Sequence, residues 1–343
     1  MKDLIGNKQV KELLQSLMAT ARVPNALLFT GPEGVGKKQF ALELARSLVC
    51  TGRNDHSACG HCAACSRVGE FAIPKFEKGQ DSDHVFFSQH PDVGIVVPYN
   101  RNLRVDAIRE LEREAHFRPY EAGARVFIVD DADKMNDAAS NALLKTLEEP
   151  ASTSHIILIA SRADSLLPTI RSRCQTIRFA PVAFEEIEAY LIKNCEFSPD
   201  DAALVARVSG GSLSRAAAIV PASFRTQRSA MLSVLKAAVA EDKRALLIGS
   251  EEMTDAKVKE EYEEKLGILE GLIHDAWLLR NGAGDAEILN IDIKPDLSQI
   301  ARASTSPTLA GWLNEIETMY ENFIVNINRK VATDSLFVSM ADG

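Results

Sequence analysis

The sequence predicts an α/β domain with a doubly wound, parallel sheet, followed by smaller and larger helical domains. Three observations carry this. Short apolar runs alternate with amphipathic helical segments up to about residue 180. The strand signal stops beyond Pro181, and a glycine-rich loop joins the first strand to the first long helix.

The runs read as strands are Ala26 to Thr30 (ALLFT), Val93 to Val97 (VGIVV), Val126 to Val129 (VFIV), Ile156 to Ala160 (IILIA) and Thr176 to Phe179 (TIRF). Their apolar continuity suits a sheet covered on both faces. Helices are expected over Lys37 to Val49, where Phe40, Ala41, Leu44, Ala45 and Leu48 recur at helical spacing, and over Asp137 to Glu149, closed by Pro150. After Pro181, segments Ala183 to Cys195, Pro199 to Ser209 and, past the Gly210-Gly211 break, Leu213 to Val220 predict a small helical domain. From Ala222 onward longer helices take over. Leu309, Trp312, Leu313, Ile316, Tyr320, Phe323, Ile324 and Ile327 form one apolar stripe, and Leu266, Leu269, Ile273 and Trp277 form another. Both read as bundle core, in a domain that can also carry a subunit-packing surface. Glu70 to His90 lacks regular periodicity and reads as a surface loop.

At 343 residues the chain is long enough for about two or three compact units. Its 46% hydrophobic and 25% charged content is that of a soluble globular protein. No stretch approaches the roughly 20 apolar residues of a membrane helix. The opening MKDLIGNKQVKELL has no signal-peptide core, so a cytoplasmic location without a membrane partner is expected. The net charge of -9 argues against unaided nucleic-acid binding and implies that any DNA contact is shared with partner chains.

Gly31-Pro-Glu-Gly-Val-Gly-Lys-Lys38 follows a strand and opens a helix, the context in which a phosphate loop works. Gly31, Gly34 and Gly36 let backbone N–H groups curl around phosphates, the helix N-terminus adds positive potential, and Lys37 reaches the β- and γ-phosphates. Lys38 stands where a Ser or Thr hydroxyl would ligate Mg²⁺, which an ammonium cannot do. VFIV runs into Asp130-Asp131, in which Asp130 would hold the ion's water shell. Asp131 takes the place of the Glu that activates the attacking water. It is one methylene short, and a misplacement of about 1 Å can lower a rate by about a hundredfold. ATP or ADP binding is therefore expected to be weak, and hydrolysis weaker.

Cys50, Cys59, Cys62 and Cys65 cluster after the helix that follows the phosphate loop. CxxC spacing lets thiolates converge on one tetrahedral Zn²⁺, and four thiolates close its sphere, so the site reads as structural, with His61 a bystander.

Asn141-Ala-Leu-Leu-Lys-Thr-Leu-Glu-Glu-Pro150 and Ser172-Arg173-Cys174, with PNALLFTGPEGVGKK and the cysteine cluster, resemble the signatures of clamp-loader AAA+ subunits. The likeness runs through about residues 4 to 220. It implies a RecA-like AAA+ P-loop domain over 1–180 with its zinc insertion at 50–65, a helical lid over 181–221, and an all-α collar over 222–343. Such subunits form a pentamer that opens the sliding clamp and loads it on primed DNA during replication; the implied partners are the gamma/tau and delta subunits, the clamp and the DNA. The resemblance makes Arg173 an arginine finger acting in trans on a neighbour's γ-phosphate. It places Arg162 where catalytic relatives carry a polar sensor, and Arg215 at the second sensor, for which a structural role is the alternative. Lys38, Asp131 and Arg162 together resemble the stator type of subunit with weak or absent ATPase. The alternatives are an ATP-hydrolysing subunit of the same assembly and, from another class, a stand-alone P-loop ATPase or zinc-dependent nucleic-acid binder.

Overall fold

The structure, a computed structural model, describes residues 4–53, 56–69, 71, 73, 84–98, 102–254, 261–322 and 328–342. Its contacts divide the chain into two compact units, residues 1–190 with 211–215 and residues 191–210 with 216–343. The segment expected as a lid, 181–221, contributes to both.

The first unit runs α1 (Lys8–Ala19), β1 (Ala26–Thr30), α2 (Lys37–Val49), α3 (Ala63–Ser66), β2 (Phe86–Phe87), β3 (Val93–Val96), α4 (Val105–Ala115), β4 (Arg125–Val129), α5 (Asp137–Glu148), β5 (Ser154–Ala160), α6 (Pro168–Arg171) and β6 (Gln175–Arg178). The sheet order is β2-β3-β4-β5-β1-β6, parallel except for the β2–β3 pair. Leu28 of β1 lies opposite Leu158 of β5 and Thr176 of β6. β5 alone separates β1, which feeds the phosphate loop, from β4, which ends in the acidic pair. Parallel pairing puts the C-terminal ends of all three at one edge.

Every residue of β3, β4 and β5 is buried, as their unbroken apolar runs predict. β6 departs from that expectation. Only Ile177 is buried within it, because the strand is the sheet's edge and has β1 alone as neighbour.

β4 also begins one residue earlier than its apolar run, with an arginine that apolar patterning does not admit. Arg125 is fully buried. It donates to the Glu114 carbonyl (2.6 Å) and carboxylate (2.9 Å), lies 3.7 Å from the Asp92 carboxylate, and packs on the rings of Phe87, Tyr120 and Phe127. Asp92, equally buried, accepts the backbone N–H groups of Tyr120, Glu121 and Ala122 at 2.7–3.0 Å. These contacts tie the turn before β4 to the start of β3.

α7 (Phe184–Cys195) spans the division between the units. The second unit holds α8 (Pro199–Val208), capped by Ser198, and a bundle after α9 (Leu213–Ala218), which begins in the first unit. In the bundle α10 (Pro221–Val239) packs on α11 (Lys243–Thr254) and α12 (Tyr262–Arg280). α12 packs on α13 (Lys294–Ala303) and α14 (Ser306–Asn322), and α11 on α15 (Arg329–Asp342). Of the two stripes, Leu266, Leu269, Ile273, Leu309, Trp312 and Ile316 are buried, and Trp277, Leu313 and Tyr320 half-buried. Phe323, Ile324 and Ile327 lie outside the described residues, as does most of the 70–90 insertion. The polar half of this core had no apolar signal: buried Asp275 accepts the backbone N–H groups of Leu289 and Asn290 (3.0 and 2.8 Å) and the Asn290 amide (2.8 Å).

Removing one member of a buried ion pair leaves the other uncompensated and costs about 3–5 kcal/mol. Asp92→Ala should therefore destabilise the first unit by that order in denaturant unfolding. A loss below about 1 kcal/mol, the range of exposed pairs, would show that Arg125 does not depend on Asp92.

Candidate functional site

The phosphate loop leaves β1 with Gly31, Gly34 and Gly36 all at positive φ (148°, 76° and 98°). Gly34 illustrates why no side chain fits. A Cβ there would overlap the hydroxyls of Ser212 and Ser214, and the Gly34 carbonyl accepts the Ser214 N–H at 3.2 Å. The 212–215 segment thus lies directly on the loop, with the Arg215 side chain exposed beside it.

Lys37 is buried and its ammonium is turned onto its own loop. It donates to the carbonyls of Gly31 (2.5 Å) and Pro32 (2.7 Å) and to the Ser161 hydroxyl (3.1 Å). Burial holds its pKa below the ordinary lysine value, against the pull of Asp133, Glu33, Asp131 and Asp130. All three ammonium donors are engaged, so a phosphate must displace these contacts to use the lysine.

Lys38 Nζ lies 2.9 Å from Asp130 Oδ2. This half-exposed pair contributes about 1 kcal/mol or less to stability. Its chemical effect is larger: a tethered cation neutralises the carboxylate that would hold the metal's water shell, while the hydroxyl ligand is missing from the same position. Asp131, in the left-handed region at φ 48°, pairs with Lys134 at 2.7 Å, which raises the lysine's pKa. Both acids at the end of β4 therefore face lysines of this chain.

Asp133 holds the two loops together, a role the sequence did not reveal. Its side chain is 8% exposed, and it accepts the N–H groups of Ser161 and Arg162 at 3.3 Å. The Arg162 side chain is 79% exposed, its Nε 3.9 Å from that carboxylate. Arg173, two residues past α6, pairs with Glu148 at 2.6 Å and donates to the Thr169 carbonyl at 3.0 Å. It is partly exposed. Glu148 lies within the NALLKTLEEP segment, whose pattern carries no signal for this contact.

The four cysteines converge. Cys50 ends α2 and Cys62 caps α3, and sulfur–sulfur separations are 3.6 Å (Cys50–Cys59), 3.7 Å (Cys50–Cys62), 3.8 Å (Cys59–Cys65) and 3.4 Å (Cys62–Cys65). Thiolates about 2.3 Å from a tetrahedral ion stand about 3.8 Å apart, so the set fits a metal of that size. Backbone N–H groups of Cys59, Cys62 and Cys65 point at the sulfurs of Cys50, Cys59 and Cys62. The Cys65 N–H, above all, brings the Cys62 thiol down to about 4, whereas burial pushes Cys65 up to about 12. His61 is exposed and outside the cluster. The module is anchored by Arg67, which grips Glu121 through both terminal nitrogens (2.9 and 2.8 Å), and by Arg46, which donates to the Val68 carbonyl (3.1 Å).

A P-loop strand one strand away from an acidic strand end, in a parallel sheet of this order, gives the chain the fold of an AAA+ type P-loop protein, with Arg173 at the opposite end of the sheet, just before β6 begins. The chain belongs to the family described as DNA polymerase III, delta subunit, whose model matches residues 6–183, and within it to the delta-prime clamp-loader subunits. It is 27% identical to DNA polymerase III subunit delta' of Escherichia coli (strain K12), over 95% of this chain and 92% of that one. It is 26% identical to the Bacillus subtilis (strain 168) delta' subunit, over 98% and 96%. A gamma/tau subunit of Mycobacterium tuberculosis (strain CDC 1551 / Oshkosh) is 33% identical over 61% of this chain and 34% of its own length.

The sulfur geometry sets a direct test. Metal-free protein titrated with Cd²⁺ should develop thiolate-to-metal charge-transfer absorption that saturates at one ion per chain, and Cys62→Ser should weaken it. Absorption that fails to saturate, or is unchanged in the variant, would show that the four sulfurs do not act as one site.

Proposed function

We propose that this chain is the stator of a clamp loader. It turns over ATP poorly or not at all, supplies Arg173 in trans to a neighbour's γ-phosphate, and assembles through a collar over 222–343 with gamma/tau and delta subunits. The assembly loads the sliding clamp on primed DNA in the cytoplasm. The lid over 181–221 completes the three-domain plan. The observation that carries this reading is the Lys38–Asp130 pair: the chain's own metal position holds a cation of its own, so its chemical contribution belongs at another site.

Arg173 supports the second half. Its contact with Glu148 is partly exposed on both sides and so weakly held, which leaves the guanidinium free to exchange a carboxylate for a phosphate. A charge delivered across an interface to a transition state is worth about 10³ or more in rate in other NTPases. The ATP-hydrolysing alternative draws on the gamma/tau relative, and Lys38, Asp131 and Arg162 oppose it. For the cysteine cluster we infer structural Zn²⁺, since four sulfur ligands leave no open position for chemistry.

Steady-state ATP turnover by the isolated chain should be negligible; a rate near about 1 s⁻¹, within the ordinary enzyme range, contradicts the stator reading. In the reconstituted assembly Arg173→Ala should lower DNA- and clamp-stimulated ATPase and clamp loading while leaving folding and assembly intact. Arg173→Lys should restore only part, because an ammonium lacks the planar fork. Wild-type rates in Arg173→Ala would return Arg173 to a surface ion pair. Elemental analysis should find one zinc per chain, and chelation should loosen the 50–65 segment without unfolding the sheet.

A further inference from the structure

We propose that a cavity of about 640 Å³ outside the C-terminal ends of β1, β5 and β6 is a second anion site, distinct from the phosphate loop, in which Arg162, Arg171 and Arg178 bind a phosphate group. All three arginines line it, and Asp164 is the one carboxylate that does. In a chain of net charge -9, positive charge is gathered at this place.

The guanidiniums are under-used by the protein itself. Arg178 stands on the exposed edge strand β6, and its guanidinium has no partner among the described residues. Arg171 gives one terminal nitrogen to Asp164 at 2.9 Å, while its buried Nε has no hydrogen-bond partner. Arg162 reaches no closer than 3.9 Å to Asp133. Three like charges around a common volume repel one another. An anion with several oxygens relieves that repulsion, and the planar arginine fork matches phosphate geometry. The Thr176 hydroxyl, also in the lining, adds a donor.

The cavity meets the phosphate loop only at Gly31. Gly34, Gly36, Lys37 and Lys38 are not part of its wall, although Ser161, which accepts from Lys37, is. An occupant would therefore be held by arginines, with no help from the loop lysine. Its phosphate can come from a nucleotide or from a nucleic-acid backbone, and the two share this chemistry.

The test is calorimetric titration of the full chain with inorganic pyrophosphate at fixed ionic strength, with Mg²⁺-free ATP and a single-stranded oligothymidylate as competitors. Saturable binding is expected, weakened about tenfold or more by Arg178→Ala and by Arg162→Ala, as loss of a charge-assisted hydrogen bond implies, and unchanged by Lys37→Ala. Displacement by ATP but not by the oligonucleotide identifies a nucleotide phosphate as the source; displacement by the oligonucleotide identifies a phosphodiester. Absence of saturable binding, binding that survives the Arg162→Ala/Arg178→Ala double variant in a folded protein, or loss of binding in Lys37→Ala would each overturn the proposal.

Discussion

Parallel pairing of β1 with both β5 and β6 is the constraint from which the site follows. It brings the phosphate loop, the end of β5 and the end of β6 out on one edge, and with β4 next to β5 it adds the acidic pair. Backbone geometry thus collects glycines, lysines, aspartates and arginines from distant parts of the chain before any side-chain interaction is made. Burial of β3, β4 and β5 on both faces holds that edge rigid. Buried Arg125 and Asp92 fix the opposite end of the sheet, where β3 and β4 begin.

Within this frame the side chains satisfy one another. Lys37 takes three acceptors from its own surroundings, Lys38 takes Asp130, Lys134 takes Asp131, and the 212–215 segment lies on Gly34. The exposed ion pairs among them are individually weak. Together they describe a nucleotide fold in which protein groups meet the demands that phosphate and metal meet in an active site. On the stator proposal, a scaffold that retains the loop while neutralising its metal position holds a shape and presents an arginine elsewhere.

Much of this was legible in the sequence because it is carried by local pattern. Apolar runs placed β1, β3, β4, β5 and β6 to within a few residues, and α2 is bounded as predicted at Lys37 and Val49. The cysteine spacing anticipated the sulfur cluster. Patterns failed where tertiary pairing decides. β2 is two residues long and exists only through pairing with β3, and α1 has no counterpart among the predicted helices. Arg125 falls outside the apolar run because its burial depends on Glu114 and Asp92, which are remote in sequence. Of the candidate site, Lys38 and Asp131 could be identified as substitutions. Their partners could not: Lys38–Asp130 joins α2 to the end of β4, and Asp133 accepts from a loop 28 and 29 residues away. Glu148 and Thr169, which hold Arg173, likewise carry no local pattern that marks the contact.

The central claim is that Lys38 stands in for the metal. It is tested most directly by the Mg²⁺ dependence of nucleotide affinity in the wild-type chain and in Lys38→Thr, which restores a hydroxyl and frees Asp130. Measured by equilibrium binding of ATP with and without Mg²⁺, affinity in the wild type should be weak and insensitive to the ion, and in Lys38→Thr it should rise when Mg²⁺ is added. Mg²⁺-dependent binding by the wild-type chain, equal to that of the variant, would contradict the account.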